Sequence, residues 1–245
     1  MNIKVLSATS LKIIAIILMF GDHVHQMFAG SPVGLTILGR AVFPIFLFCV
    51  AESFHYTRSK GRLILRLGIA AVLMAMGSIF LMQILPNESI FLFNSAFSCF
   101  FITAIYMKVW DMLRAKKWLG GGLLAILPIV LAMPAVVFFD NEWVFNRICL
   151  LVPSLLTLTD GGWFMVALGV LFYVLRCHRV RQIIILLAFA AISGFYYGNP
   201  FQPFMALGAL PIIMYNGLKG RGLKWLFYGF YPVHIWILYI IATIY

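Results

Sequence analysis

Apolar side chains in this chain come in unbroken runs of about 18 to 22 residues, not in the alternation of a half-buried strand or the one-sided stripe of a soluble helix. Crossing a hydrocarbon core takes about 20 residues at 1.5 Å each. A window of that length predicts helices at 11–28, 33–54, 63–84, 89–107, 119–139, 157–176, 183–198, 202–217 and 225–244. Outer-membrane barrels need alternating strands of roughly 10 residues, and the pattern holds none. The expected fold class is therefore all-α: a polytopic transmembrane helical bundle of about 9–10 membrane helices, with residues 1–245 as one integral membrane domain.

Composition strengthens this reading. The chain is 64% hydrophobic and only 10% charged, whereas soluble domains carry about 25% charged residues. Four cysteines (Cys49, Cys99, Cys149 and Cys177) lack paired spacing and read as small apolar packing residues. There is no Walker or dinucleotide glycine pattern and no metal-spaced His/Cys set. The net charge of +11 would suggest nucleic acid in a soluble protein, but here the basic residues stand between apolar runs and report topology instead.

One further apolar stretch, Trp143 to Leu156, is interrupted by Arg147 and Pro153. If it does not cross, and the N-terminus lies inside, sixteen of the eighteen basic residues gather on the cytoplasmic side, among them Lys4, Arg58, Lys108, Arg176, Arg179, Arg181, Lys219 and Arg221. If it crosses, Arg176 and all later basic residues are expelled. The stretch is thus expected to be re-entrant or interfacial on the outer face, beside Asp140, Glu142 and Asp160. The expected location is the inner or plasma membrane, multi-pass, with a cytoplasmic N-terminus and the lipid bilayer as first partner. The first apolar run carries Asp22, His23 and His25, so it reads as a working helix and not as a cleavable leader.

A charged group near the bilayer centre costs at least about 2.5 kcal/mol, so polar residues within apolar runs normally face a cavity and mark a site. Asp22, His23, His25 and Gln26 stand roughly 15 to 20 Å above Lys12 along the first helix. Arg40 lies about seven residues into the second run, and His234 follows Tyr231-Pro232 near the middle of the last. Asp22 and His25 share a helix face, whereas Asp22 and His23 point about 100° apart, so His23 needs an orienting partner from elsewhere. Imidazole is the side chain best suited to take a proton from an amine or hydroxyl near neutral pH. On the cytoplasmic face Arg58, Lys60, Arg62 and Arg66 straddle a short turn, with Arg62 and Arg66 one helical turn apart, an arrangement that suits either membrane anchoring or a phosphate-bearing ligand.

Lys12 and His23, with ten residues between them, resemble the Lys/Arg-x10-His signature of the membrane acyltransferase-3 superfamily. Closer still, Asp22-His23, the block Gly39-Arg40-Ala41-Val42-Phe43-Pro44-Ile45-Phe46, and Phe230-Tyr231-Pro232-Val233-His234 resemble the TraX family of conjugal-transfer proteins, which acetylate pilin N-termini. Gly21 departs from the aliphatic residue usual before Asp-His. Looser likenesses run through Glu52 to Arg58, through Asn94 with Phe97, and through Asp160-Gly161-Gly162. The resemblance implies an integral membrane acetyltransferase that moves an acetyl group from cytoplasmic acetyl-CoA to an amine, such as a peptide or pilin N-terminus, or to a hydroxyl of a glycan. In that reading His23 is the general base, with Asp22 or another carboxylate setting its tautomer, and Arg40 or His234 supports the oxyanion. Lys12, Arg58, Lys60, Arg62 and Arg66 hold the phosphates of acetyl-CoA, and Glu52, Asn94 and Tyr231 stand on the substrate side. Two other function classes use the same residues: a transporter or channel with a buried Asp/His/Arg proton relay, and a non-catalytic pilus or surface assembly protein.

Overall fold

Each of the nine apolar runs contains a helix in the computed structural model, which describes residues 4–92, 95–138, 140–141, 144, 151–154 and 161–245. The helices are α1 (Ala8–Met27), α2 (Gly34–Gly39), α3 (Val42–Tyr56), α4 (Lys60–Ile84), α5 (Ala96–Arg114), α6 (Trp118–Val130), α7 (Met133–Val137), α8 (Gly162–Val174), α9 (Arg179–Tyr197), a 3-10 helix (Gln202–Gly208), α10 (Ala209–Ile213) and α11 (Lys224–Ile244). Among the described residues seven helical stretches are long and apolar enough to cross a membrane, taking α2 with α3 and α6 with α7, and two shorter apolar helices lie at Gly162–Val174 and Gln202–Ile213. The chain is an all-α helical bundle of multi-pass membrane type. Most of the stretch from Trp143 to Leu156 lies outside the described residues, so its re-entrant reading is not addressed by the fold.

Proline and asparagine account for the departures from the expected boundaries. The run at 33–54 is two helices because Pro44 has no N–H to give the Arg40 carbonyl, and the chain turns at Arg40 and Ala41. The run at 119–139 divides at residues 131–132 for the same reason, since Pro134 leaves the Val130 carbonyl without its ladder partner. The helix expected from 89 starts at Ala96 and continues to Arg114. Ahead of it, Pro86 is followed by Asn87, whose side-chain oxygen accepts from the backbone N–H of Ser89 at 2.8 Å and of Ile90 at 3.1 Å, a local turn that competes with helix. The run at 202–217 is wound as a 3-10 helix after Pro203 and becomes α-helical only for Ala209–Ile213, with Pro211 inside it. At about 2.0 Å per residue the 3-10 turns let this short segment cover roughly 21 Å, more than an α-helix of equal length.

Apolar side chains cover the outside of the protein as well as its interior. Along α4 the side chains of Leu65, Ile69, Leu73, Met76 and Phe80 face outward, while Leu63, Leu67, Ala71, Met74 and Ser78 are buried. Buried polar residues include Thr9, His23, Thr36, Glu52, Thr103, Gln182 and His234. In lipid, helices associate through close packing and interhelical hydrogen bonds, since apolar contact alone gains nothing over the acyl chains. Cys49 and Cys99 are buried in keeping with a packing role, whereas Cys177 is exposed beyond α8; Cys149 lies outside the described residues.

Tertiary contacts divide the chain into two units, Met1–Cys49 with Leu175–Tyr245, and Val50–Val174. In the first, α1 packs on α2 and α11, and α9 packs on the 3-10 helix and α10. The segment after α10 is tied to the start of α1: Leu6 N–H donates to Met214 at 2.9 Å, Asn216 N–H to Leu6 at 2.8 Å, Ala8 N–H to Leu218 at 2.8 Å, and the Thr9 hydroxyl to the Arg221 carbonyl at 2.6 Å. Gly220 makes this closure possible: its φ is +72°, and a Cβ there would lie 2.5 Å from Ser7 Oγ. Arg179, the first residue of α9, lies 4.4 Å over the Phe48 ring and 5.1 Å over Tyr215. The basic residues Arg179, Lys219 and Arg221 therefore share one end of this unit with the start of α1, as the charge pattern requires. Lys12 reaches the Phe227 ring and His23 reaches His234, so α1 and α11 run in the same direction. In the second unit α5 is the hub, packing on α4, α6 and α8.

Candidate functional site

The last turns of α1 and the middle of α11 bring two imidazoles together. His23 and His234 are both buried, and His234 Nε2 lies 3.0 Å from His23 Nδ1. The protons can be assigned along the chain of contacts. His234 Nδ1 stands 2.6 Å from the Phe230 carbonyl, which only accepts, so Nδ1 carries hydrogen. In the neutral ring Nε2 is then the acceptor, His23 Nδ1–H donates to it, and the lone pair of His23 is left on Nε2. The Met19 carbonyl, one turn earlier on α1, also meets the His23 ring. Phe230 stacks on His234 at 4.6 Å between centroids, and Tyr231 stands edge-on to His23 at 6.5 Å, giving the pair aromatic walls.

The carboxylate next to His23 in sequence belongs to a different cluster. Asp22 Oδ1 lies 3.5 Å from Arg40 NH2, and Asp22 Oδ2 accepts from Gln26 at 2.9 Å. The guanidinium also donates to Thr36 Oγ1 at 2.8 Å and to Gln202 Oε1 at 3.4 Å. Gly39 sets the closeness of this contact, because a Cβ at that position would overlap the Asp22 side chain. Arg40 Nε and Asp22 Oδ1 are buried without a hydrogen-bond partner, so the cluster is incompletely satisfied. His25 turns away and bonds Ser31 Oγ at 2.9 Å, so the shared helix face of Asp22 and His25 does not pair them.

Three sequence expectations change here. The tautomer of His23 is set by His234 and not by Asp22, whose partner is Arg40. His234 Nε2 is occupied by His23, which leaves Arg40 as the cation of the site. Lys12 lies 5.4 Å over the Phe227 ring and acts as a contact between α1 and α11. Thr36 and Gln202 were not singled out by sequence reasoning, since a lone threonine or glutamine in an apolar run is weak signal without its partner.

The second unit carries the other constellation. Thr57, Arg58, Ser59, Arg62, Leu65, Arg66 and Ile69 line an open groove of ≈ 400 Å³ at the start of α4. Lys60 does not line it: its ammonium pairs with Asp111, donates to Tyr173 Oη at 3.2 Å, and lies 4.9 Å over the Phe54 ring. Glu52 is buried on α3 within this unit, and Tyr231 lies beside the histidine pair in the other; Asn94 lies outside the described residues.

No curated protein and no solved structure matches the chain. The profile of the TraX protein family matches residues 7–242, a range that takes in α1 with its Asp22-His23 pair, the Gly39-Arg40 turn and His234 on α11. With nearly its whole length matched, the chain belongs to the TraX family.

Proposed function

We propose that this chain is an integral membrane acetyltransferase that passes the acetyl group of acetyl-CoA to an amine, with a peptide N-terminus as first choice and a glycan hydroxyl as the alternative. The observation that carries the reading is the buried His23–His234 pair with the lone pair directed to His23 Nε2, beside the Arg40–Asp22 cluster. As the acceptor nitrogen or oxygen attacks the thioester carbonyl, Nε2 takes the acceptor's proton, and positive charge spreads to His234 through the Nδ1 contact. Arg40 offers the fixed cation for the oxyanion of the tetrahedral intermediate. Collapse breaks the carbon–sulfur bond, and the proton held on His23 goes to the departing thiolate. Asp22, Thr36 and Gln202 hold the guanidinium in place.

The phosphate-bearing end of acetyl-CoA is assigned to the groove of Arg58, Arg62 and Arg66, whose guanidinium donors and the Thr57 and Ser59 hydroxyls suit phosphate oxygens. The membrane orientation that goes with this reading has the N-terminus in the cytoplasm, on the side of the donor. The Lys12-x10-His23 spacing supports a wider kinship with the acyltransferase-3 enzymes. Reconstitution in liposomes with labelled acetyl-CoA tests the proposal: label is expected on a peptide or glycan acceptor only when donor is supplied. Substrate flux without any acetyl donor would instead favour a transporter with a proton relay, and overturn it.

A further inference from the structure

The helix that carries the groove makes a second polar contact on its opposite side. Arg62, Leu65, Arg66 and Ile69, at positions i, i+3, i+4 and i+7, follow one face of α4. Lys60 stands about 200° from Arg62 around the helix and continues the buried stripe of Leu63, Leu67, Ala71, Met74 and Ser78. There it meets a closed polar ring. The ammonium pairs with Asp111 of α5 and donates to Tyr173 of α8, whose hydroxyl donates to Asp111 Oδ1 at 2.7 Å. Phe54 of α3 floors the ring, lying 4.9 Å beneath the ammonium and edge-on to Tyr173 at 5.2 Å.

We propose that Lys60, Asp111 and Tyr173 are positioning residues for the phosphate-binding groove, fixing the first turn of α4 so that Arg58, Arg62 and Arg66 are presented together. The proposal rests on the assignment of that groove to the acyl donor. Only residues 57–59 separate α3 from α4, and the Ser59 side chain makes no cap bond, so the first turn is not fixed by a cap of its own. The Lys60 and Asp111 side chains are each 26% exposed, so the pair is shielded enough to be directional but costs desolvation. A lysine, an aspartate and a tyrosine from three helices meet in one geometry, where an apolar trio of equal volume would tolerate sliding. Register is what the ring supplies.

The test uses the full chain in lipid nanodiscs with coenzyme A as the probe. Asp111→Asn and Tyr173→Phe are expected to weaken coenzyme A binding about tenfold, to raise the KM for acetyl-CoA in step, and to leave kcat at saturating donor and the melting temperature near those of the parent. Lys60→Arg, which keeps the charge and its ring contact, is expected to stay within about threefold of the parent. The double variant Arg62→Ala/Arg66→Ala is measured alongside. If it binds coenzyme A as the parent does, the donor assignment of the groove fails and this inference with it. If it weakens binding while Asp111→Asn and Tyr173→Phe do not, the groove stands and the positioning role is overturned. Loss of affinity seen only together with loss of the folded state also overturns it.

Discussion

At the residue scale the chemistry of the site depends on which atom of each side chain is committed. His234 gives Nδ1–H to the Phe230 carbonyl and receives His23 Nδ1–H, so its contribution is to hold the tautomer of its neighbour. His234→Ala is expected to lower kcat about tenfold to a hundredfold with little change in KM, because binding contacts remain while the lone pair of His23 is no longer fixed. Steady-state kinetics of acetyl transfer check this, and an equal rise in KM at constant kcat would contradict it. Arg40→Lys is expected to lose most activity despite keeping the charge. An ammonium cannot bond Thr36, Gln202 and Asp22 in the planar geometry of a guanidinium. The two histidines and Arg40 were legible in the sequence because polar groups stand out against apolar runs. Their pairing was not, since it depends on which faces of α1 and α11 meet.

At the element scale the sharpest constraint lies between α1 and α2. Gly39→Ala is expected to destabilise the protein by about 1 to 3 kcal/mol, since the added methyl overlaps the Asp22 side chain and pushes the two helices apart. Thermal unfolding in detergent measures this, and the variant is also expected to lose activity because the Arg40–Asp22 contact opens. The broken form of the second run was foreshadowed by Pro44, yet a hydropathy window averages across it. Similarly, Pro203 and Pro211 are visible in the sequence but do not announce a 3-10 helix. Asp111 was hidden for a different reason: it sits among Lys108, Arg114, Lys116 and Lys117 and reads as loop charge until α5 is seen to continue to Arg114.

At the scale of the whole molecule, a few basic residues carry the topology. The ties from residues 214–221 to the start of α1, together with Arg179 over Tyr215, gather the basic ends of the first unit at one place. Single cysteines introduced as Lys4→Cys and Lys219→Cys in a cysteine-free background are expected to react with a membrane-impermeant reagent from the same side only. Labelling from opposite sides would refute the shared end. The all-α class was legible because apolar length alone specifies a membrane helix, but of the nine expected runs only seven give, among the described residues, a helical stretch long enough to cross. The division into two units depends on packing between distant segments that no local pattern encodes.

The claim on which the functional reading rests is that His23 Nε2 accepts the acceptor's proton during acetyl transfer. Its most direct measurement is acetyl transfer from labelled acetyl-CoA by the reconstituted protein and by His23→Gln, compared at equal amounts of folded, membrane-inserted chain. Glutamine keeps a polar side chain of similar reach but cannot take a proton near neutral pH. The rate is expected to fall about a hundredfold or more with donor binding retained; transfer by His23→Gln at the parent rate would contradict the role of His23 as base.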